Sequence, residues 1–318
     1  MDVLTDRSAP RDRSSSILTI GFFDGVHLGH QRTIERAIDD ARAKGLDLIV
    51  ITFDRHPAEV ARPDRAPKLL TDLTQRLELL AELGVDASYV LAFDEAAAAQ
   101  SAGDFIETVL VKQLGCAKVI VGENFRFGAK RAGDVAVLRE AGERLGFVVE
   151  GVSLGQDRGE VISSTRIRSL LASGDVEGAR RLLGRVHEVR GPVVHGDGRG
   201  GVELGCPTAN LELDGRLALP GDGVYAGWYR DEFIGVMPAA ISVGRRPTFL
   251  ENAEPIVEAH VIGFSGDLYG REARVSFLDR LRGEERFDSI EALIAQMDRD
   301  VEEAQVRCAE GSEFAPGP

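Results

Sequence analysis

Two histidines three residues apart, His27 and His30, lie inside the run Gly21-Phe22-Phe23-Asp24-Gly25-Val26-His27-Leu28-Gly29-His30. The run follows a short apolar segment and precedes a helical pattern, so both imidazoles stand at the start of a helix. There they can face an anion that also feels the free N–H groups of the first turn. Gly29 leaves room for a phosphate to approach the backbone, and Gly21, Phe23 and Asp24 belong to the same turn. Taken alone, such a pair is equally a chance helix cap. A zinc site is a third reading; it needs another ligand, for which Asp24 is the candidate and no cysteine is at hand.

A second run, Ile162-Ser163-Ser164-Thr165-Arg166-Ile167-Arg168, also opens a helix. The hydroxyls of Ser164 and Thr165 and the guanidinium groups of Arg166 and Arg168 make a phosphate clamp by composition, although a serine-capped helix with solvent-facing arginines has the same residues. In the second half, Leu204-Gly205-Cys206-Pro207-Thr208-Ala209-Asn210-Leu211 follows a glycine-rich loop. Thr208 and Asn210 carry oxygen ligands of the kind Mg²⁺ accepts while it keeps waters and shares substrate phosphates. Their plainer role is turn capping after Pro207. Glu258 and His260 alternate along one strand and share a face, opposite Val257, Ala259 and Val261.

The elements that must position these residues fall into two textures. From residue 17, apolar runs alternate with amphipathic stretches: strands are expected over 17–20, 46–53, 89–93, 117–121 and 147–152. Helices are expected after His27 and over 71–83, 101–114, 134–145, 165–172 and 175–183. The strands are apolar throughout, as parallel sheets require, so this half reads as a doubly wound α/β domain with its ligand turn at the carboxyl end of a strand. After Gly184 come six short strands separated by glycine-rich turns, over 187–194, 209–213, 224–230, 239–243, 256–264 and 272–277. They suggest a six-stranded antiparallel barrel with a terminal helix over 288–303. The expected organisation is a flexible N-terminus over 1–16, an α/β domain over 17–184, a β domain over 185–306 and a flexible tail over 307–318.

A chain of 318 residues with 43% hydrophobic content can fill two cores. Its 52 acidic against 38 basic side chains, a net charge of −14, repel a polynucleotide backbone. Cys116, Cys206 and Cys308 are scattered and odd in number, which fits a reducing cytoplasm. No signal-like N-terminus and no apolar run near twenty residues is present, so neither nucleic acid nor a membrane is an expected partner.

Several strings in order now resemble a known family. The HxGH pair and the 162–168 segment are similar to those of nucleotidylyltransferases. GFFDGVHLGHQ, TFDRHP at 52–57 and VGENFRFG at 121–128 are similar to bacterial FAD synthetases. The run at 204–211, Gly223-Val224-Tyr225-Ala226-Gly227, ISVGRRPTF at 241–249, VEAHVIGF at 257–264 and DLYG at 267–270 resemble riboflavin kinases. The resemblance spans about 17–306 in the order of the prokaryotic bifunctional riboflavin kinase/FMN adenylyltransferase family. It implies an ATP- and Mg²⁺-dependent enzyme that phosphorylates riboflavin to FMN and adenylylates FMN to FAD.

The resemblance implies that His27, His30 and Arg166 stabilise the ATP triphosphate and the leaving pyrophosphate. Asn124, otherwise a turn amide, lies at that site with Gly21, Phe23, Asp24, Gly29, Ser164, Thr165 and Arg168. Thr208 and Asn210, beside Gly205, bind Mg²⁺ and nucleotide phosphates, and Glu258 is the catalytic base. The implied ligands are riboflavin, FMN and ATP, and the expected state is a monomer or weak homo-oligomer. Arg55, Cys206 and Arg246 replace residues that are commonly proline, phenylalanine and asparagine in the family. The chemistry agrees: FMN's phosphate is already an anionic nucleophile, whereas riboflavin's hydroxyl must lose a proton.

Overall fold

Strands apolar on both faces need helices on both sides, and the first half of the chain builds that arrangement. Its sheet comprises β1 (Asp2–Thr5), β2 (Ser16–Ile20), β3 (Asp47–Phe53), β4 (Ala87–Leu91), β5 (Cys116–Gly122) and β6 (Val148–Val152). All neighbours are parallel, in the order β1-β4-β3-β2-β5-β6. The computed structural model describes residues 1–5, 15–195, 208–245 and 255–317, which divide into two compact units, Met1–Ser163 and Ser164–Pro318.

In the first unit the helices are α1 (Leu28–Lys44), α2 (Pro57–Ala61), α3 (Leu73–Glu82), α4 (Glu95–Ala99), α5 (Ala102–Phe105) and α6 (Val135–Leu145). On one face of the sheet, Ile34, Ala37, Ile38 and Ala41 of α1 and Leu80 of α3 bury Ile17, Leu48, Val50 and Ile120. On the other, Phe105, Ile106, Val109, Leu110, Leu138 and Ala141 cover Leu18, Ile49, Ile51 and Val119. Alternate residues of each strand thus feed opposite cores. Asp72 and Asp134 cap α3 and α6 with their carboxylates, and Gly45 ends α1 at φ 63°.

The chain winds from β2 outward to β4, then returns to place β5 on the other side of β2. The carboxyl ends of β2 and β5 therefore flank the switch point where open α/β sheets bind ligands.

In this unit the structure departs from the sequence reading in three places. Asp2–Thr5, expected within a flexible segment, forms β1 against β4. The helix expected over 101–114 starts as α5 and continues as a π-helical stretch, Ile106–Gln113. A small hairpin, β7 (Gln156–Asp157) with β8 (Glu160–Val161), follows β6.

The second unit opens with α7 (Ser164–Ala172) and α8 (Val176–Leu183), and continues as β9 (His187–Val194), β10 (Thr208–Leu211), β11 (Gly223–Asp231), β12 (Gly235–Arg245), β13 (Pro255–Val261) and β14 (Glu272–Arg282). These six strands close an antiparallel barrel, β10-β13-β12-β11-β14-β9. Its interior holds Val189, Val193, Leu211, Tyr225, Ile241, Val243, Val257, Ala259 and Phe277. Outside, α9 (Ile290–Glu310) covers Ala226, Trp228, Ala240 and Leu278 with Ala304 and Cys308. Arg282 of β14 holds Asp300 of α9 with contacts of 2.8–3.1 Å. The helix runs to Glu310, so the tail expected from 307 begins inside it; Phe314 lies under the Arg180 guanidinium at 4.0 Å.

Candidate active sites

The turn after β2 is strained. Phe23, Gly25 and Val26 have φ of 54°, 78° and 39°, and for Phe23 and Val26 this is costly backbone. The surroundings enforce it. The buried carboxylate of Asp24 accepts N–H groups of Leu70 (2.9 Å) and Thr71 (3.2 Å), and Thr71 Oγ1 accepts from Gly25 N–H at 3.1 Å. The Asp24 oxygen that makes these bonds is committed to the turn, and among the described residues no three His, Cys, Asp or Glu side chains are grouped to hold a metal, so the zinc reading finds no support.

His27 caps α1: its Nδ1 accepts the His30 N–H at 3.3 Å, which puts the proton of the neutral ring on Nε2. The two imidazoles stack, centroids 3.6 Å apart, and the edge of Phe23 meets His30 at 5.2 Å. Burial first, then His27 and Arg76, push the His30 imidazole well below its ordinary pKa. His30 is therefore neutral at neutral pH, and its buried Nδ1 has no hydrogen-bond partner.

Part of this turn supports the fold. Phe23 is 4% exposed, so its ring belongs to the core and steadies His30. A Cβ on Gly21 would fall 2.9 Å from the Phe23 ring, and one on Gly29 would meet the His27 ring at 3.2 Å and Ile162 O at 3.4 Å. Gly29 is required by the protein's own packing as well as by any approaching phosphate. Asn124 stands exposed just beyond β5, across the switch point from the histidine turn. Arg55 pairs with Asp54, and His56 caps α2. Ser164, Thr165, Arg166 and Arg168 all lie on α7, the first helix of the second unit; Thr165 is exposed and the other three are half-buried.

In the barrel the site is made by register. Thr208 of β10 lies opposite His260 of β13, and Asn210 opposite Glu258. On its other side β13 places Ser242 of β12 opposite Glu258. With Val257, Ala259 and Val261 inside, this polar row lies on the outer face of the barrel. Asn210 is 7% exposed, its Nδ2 donates to Thr208 O at 3.5 Å, and its Oδ1 has no hydrogen-bond partner. A buried acceptor oxygen without a donor, beside a hydroxyl and facing a carboxylate, fits a hard cation such as Mg²⁺. Gly205, Cys206 and Arg246 lie outside the described residues. Burial pushes the thiols of Cys116 and Cys308 up to about 12 and about 11, so neither serves as a nucleophile.

Sequence reasoning missed Arg76. It reads as a surface residue of α3, yet it is 1% exposed against the histidine turn. Its spacing from Leu80, one helical turn on, was the available signal that it lies on the buried stripe.

A family model described as FAD synthetase matches residues 9–166, and one described as riboflavin kinase matches residues 183–308. The chain is 39% identical over 288 residues to the Escherichia coli (strain K12) protein named bifunctional riboflavin kinase/FMN adenylyltransferase, covering 89% of this chain and 90% of that one. The Bacillus subtilis (strain 168) protein of the same name is 34% identical over 299 residues, 92% of each chain. A crystal structure from Streptococcus pneumoniae, titled as a macrolide-efflux protein, matches with a TM-score of 0.85 at 31% identity, over 96% of this chain and 99% of that one. In this chain, no helix among the described residues is long and apolar enough to cross a membrane.

Proposed function

The chain belongs to the bifunctional riboflavin kinase/FMN adenylyltransferase family, and on that premise we propose how its residues divide the two reactions. The enzyme phosphorylates riboflavin with ATP to give FMN, then adenylylates FMN with a second ATP to give FAD and pyrophosphate. The observation that carries the division is that the histidine turn and the Asn210–Glu258 row lie in different compact units.

In the adenylyl transfer, an FMN phosphate oxygen forms a bond to the α-phosphorus of ATP and the bond to pyrophosphate breaks. The nucleophile is already ionised, so no base is needed. His30, held neutral, supplies an N–H donor in place of charge. Charge neutralisation at the histidine turn comes from the N-terminus of α1, and Arg166, Arg168, Ser164 and Thr165 keep the phosphate-binding role that the family resemblance implies for them. Gly21, Asp24 and Gly29 hold the turn in shape, and Asn124 contacts the nucleotide from the loop after β5. The functional boundary falls near 184/185, after α7 and α8, although these helices pack with the barrel. The FAD synthetase match running to 166 supports counting the start of α7 with this reaction.

In the kinase reaction, Glu258 takes the proton of riboflavin's 5′-hydroxyl as that oxygen attacks the γ-phosphorus and ADP leaves. Thr208 and Asn210 would hold Mg²⁺, which would neutralise charge on the transferred phosphoryl group, and Gly205 belongs to the nucleotide loop. The enzyme acts in the cytoplasm as a monomer or weak homo-oligomer, without nucleic acid.

A fragment of residues 164–318 tests the division. It retains α8, whose Val176, Ala179, Leu182 and Leu183 are buried, and all of α9. It is expected to phosphorylate riboflavin and to make no FAD. A fragment of residues 185–306 loses α8 and cuts α9 before buried Cys308, and is expected to be less stable in urea. FAD formation by the longer fragment would overturn the division.

A further inference from the structure

Arg76 of α3 is 1% exposed. Its Nη1 donates to Thr52 Oγ1 at 3.1 Å and to Phe53 O at 2.9 Å, and Thr52 Oγ1 donates onward to Phe22 O at 3.1 Å. The guanidinium carbon lies 4.0 Å from the centroid of the Phe22 ring. These contacts clamp the carboxyl ends of β2 and β3 together at Phe22 and Phe53. The next residue, Phe23, is the one held at φ 54° with its ring edge on His30.

A guanidinium is an expensive way to fill this space. Its Nε has no hydrogen-bond partner, and an apolar side chain at position 76 would continue the buried stripe of α3 through Leu80 without desolvating a charge. What an apolar side chain cannot do is hold Thr52, Phe53 and the Phe22 ring at once in one planar fork. The same cation also opposes protonation of His30. We infer that Arg76 is a positioning residue for adenylyl transfer, fixing the Phe22–Phe23 turn and, through it, the His30 imidazole that receives the ATP phosphates. This rests on the assignment of that reaction to the His27–His30 turn.

The test measures kcat and KM for FMN adenylylation in the full chain, with far-UV circular dichroism and urea unfolding of the same samples as the control for folding, because the kinase reaction belongs to the other compact unit. Arg76→Met is expected to lower kcat roughly 10²-fold, the scale of an ångström-sized misplacement, with KM for ATP and FMN within about threefold. Arg76→Lys is expected to recover part of the loss, since an ammonium restores a donor and a charge but not the stack on Phe22. In a His30→Ala background, Arg76→Lys should cost nothing further, because a residue that acts through His30 has no effect without it. Parental kcat in Arg76→Met, a loss confined to KM, or multiplicative losses in the double variant would each overturn the role. If Arg76→Met does not fold, Arg76→Lys and the double variant decide the matter. Parental adenylylation in His30→Ala would overturn the site assignment itself, and the role of Arg76 with it.

Discussion

The two sites are built by opposite means. The turn proposed for adenylyl transfer is a contiguous stretch in which strained backbone, a buried carboxylate and a helix N-terminus lie within a few residues of one another. The kinase row owes nothing to local structure: Asn210 and Glu258 are distant in sequence and meet because two strands pair in one register. A contiguous site resists slippage but depends on what props up its turn. A register site is exposed to any shift of one residue, which would turn Glu258 into the barrel and Val257 out.

The largest expected effect that sharpens this comparison is Glu258→Gln. General-base assistance contributes about 10²–10⁴-fold, so kinase kcat should fall in that range while FAD formation from supplied FMN persists. Coupled assays with riboflavin and with FMN as the starting flavin read both numbers, and parental phosphorylation would return Glu258 to an ordinary surface carboxylate. His30→Ala should act in the other direction. Loss of a preorganised donor costs about 10²–10³-fold, here in adenylylation alone, and FMN should accumulate from riboflavin.

How legible each region was follows from the same contrast. His27 and His30 could be read because both lie within one helical turn at the start of one helix. The alternation of Glu258 and His260 with Val257, Ala259 and Val261 gave the face of a strand, but not what stood opposite; the placement of Asn210 beside Glu258 needed the barrel to close. The strand expected over 272–277 continues to Arg282, and register shifts opposite Val224–Gly227 break the two-residue alternation that would have revealed it. Four-residue β1 was too short to register as a strand, and nothing in Ile106–Gln113 distinguishes a π-helical stretch from an α-helical one. Phe23 entered the site with the family-like string around it, and its burial is a tertiary fact that the string does not carry.

A smaller effect concerns the acid stability of the barrel. His187 in the barrel is buried, its Nε2 2.8 Å from Ala218 O, and burial holds its pKa down at about 4. The unfolded imidazole titrates near 6.5, so the unfolded state binds the proton first. This contribution is complete above that value and is lost as pH falls through 6.5 toward 4. By pH 5 the loss is about 2 kcal/mol. Urea unfolding followed at Trp228 should therefore weaken between pH 7.5 and 5, and His187→Gln should flatten that part of the slope. An unchanged slope in the variant would place the acid sensitivity elsewhere.

The most direct measurement mixes the two single-site variants. His30→Ala and Glu258→Gln, each expected to carry riboflavin to FAD only slowly when alone, are combined in one reaction with riboflavin, ATP and Mg²⁺, and the flavins are separated over time. If the two reactions belong to separate sites with free FMN between them, FMN made by His30→Ala is taken up by Glu258→Gln and FAD appears after a lag. A mixture of folded, individually half-active variants that yields no FAD would contradict the account.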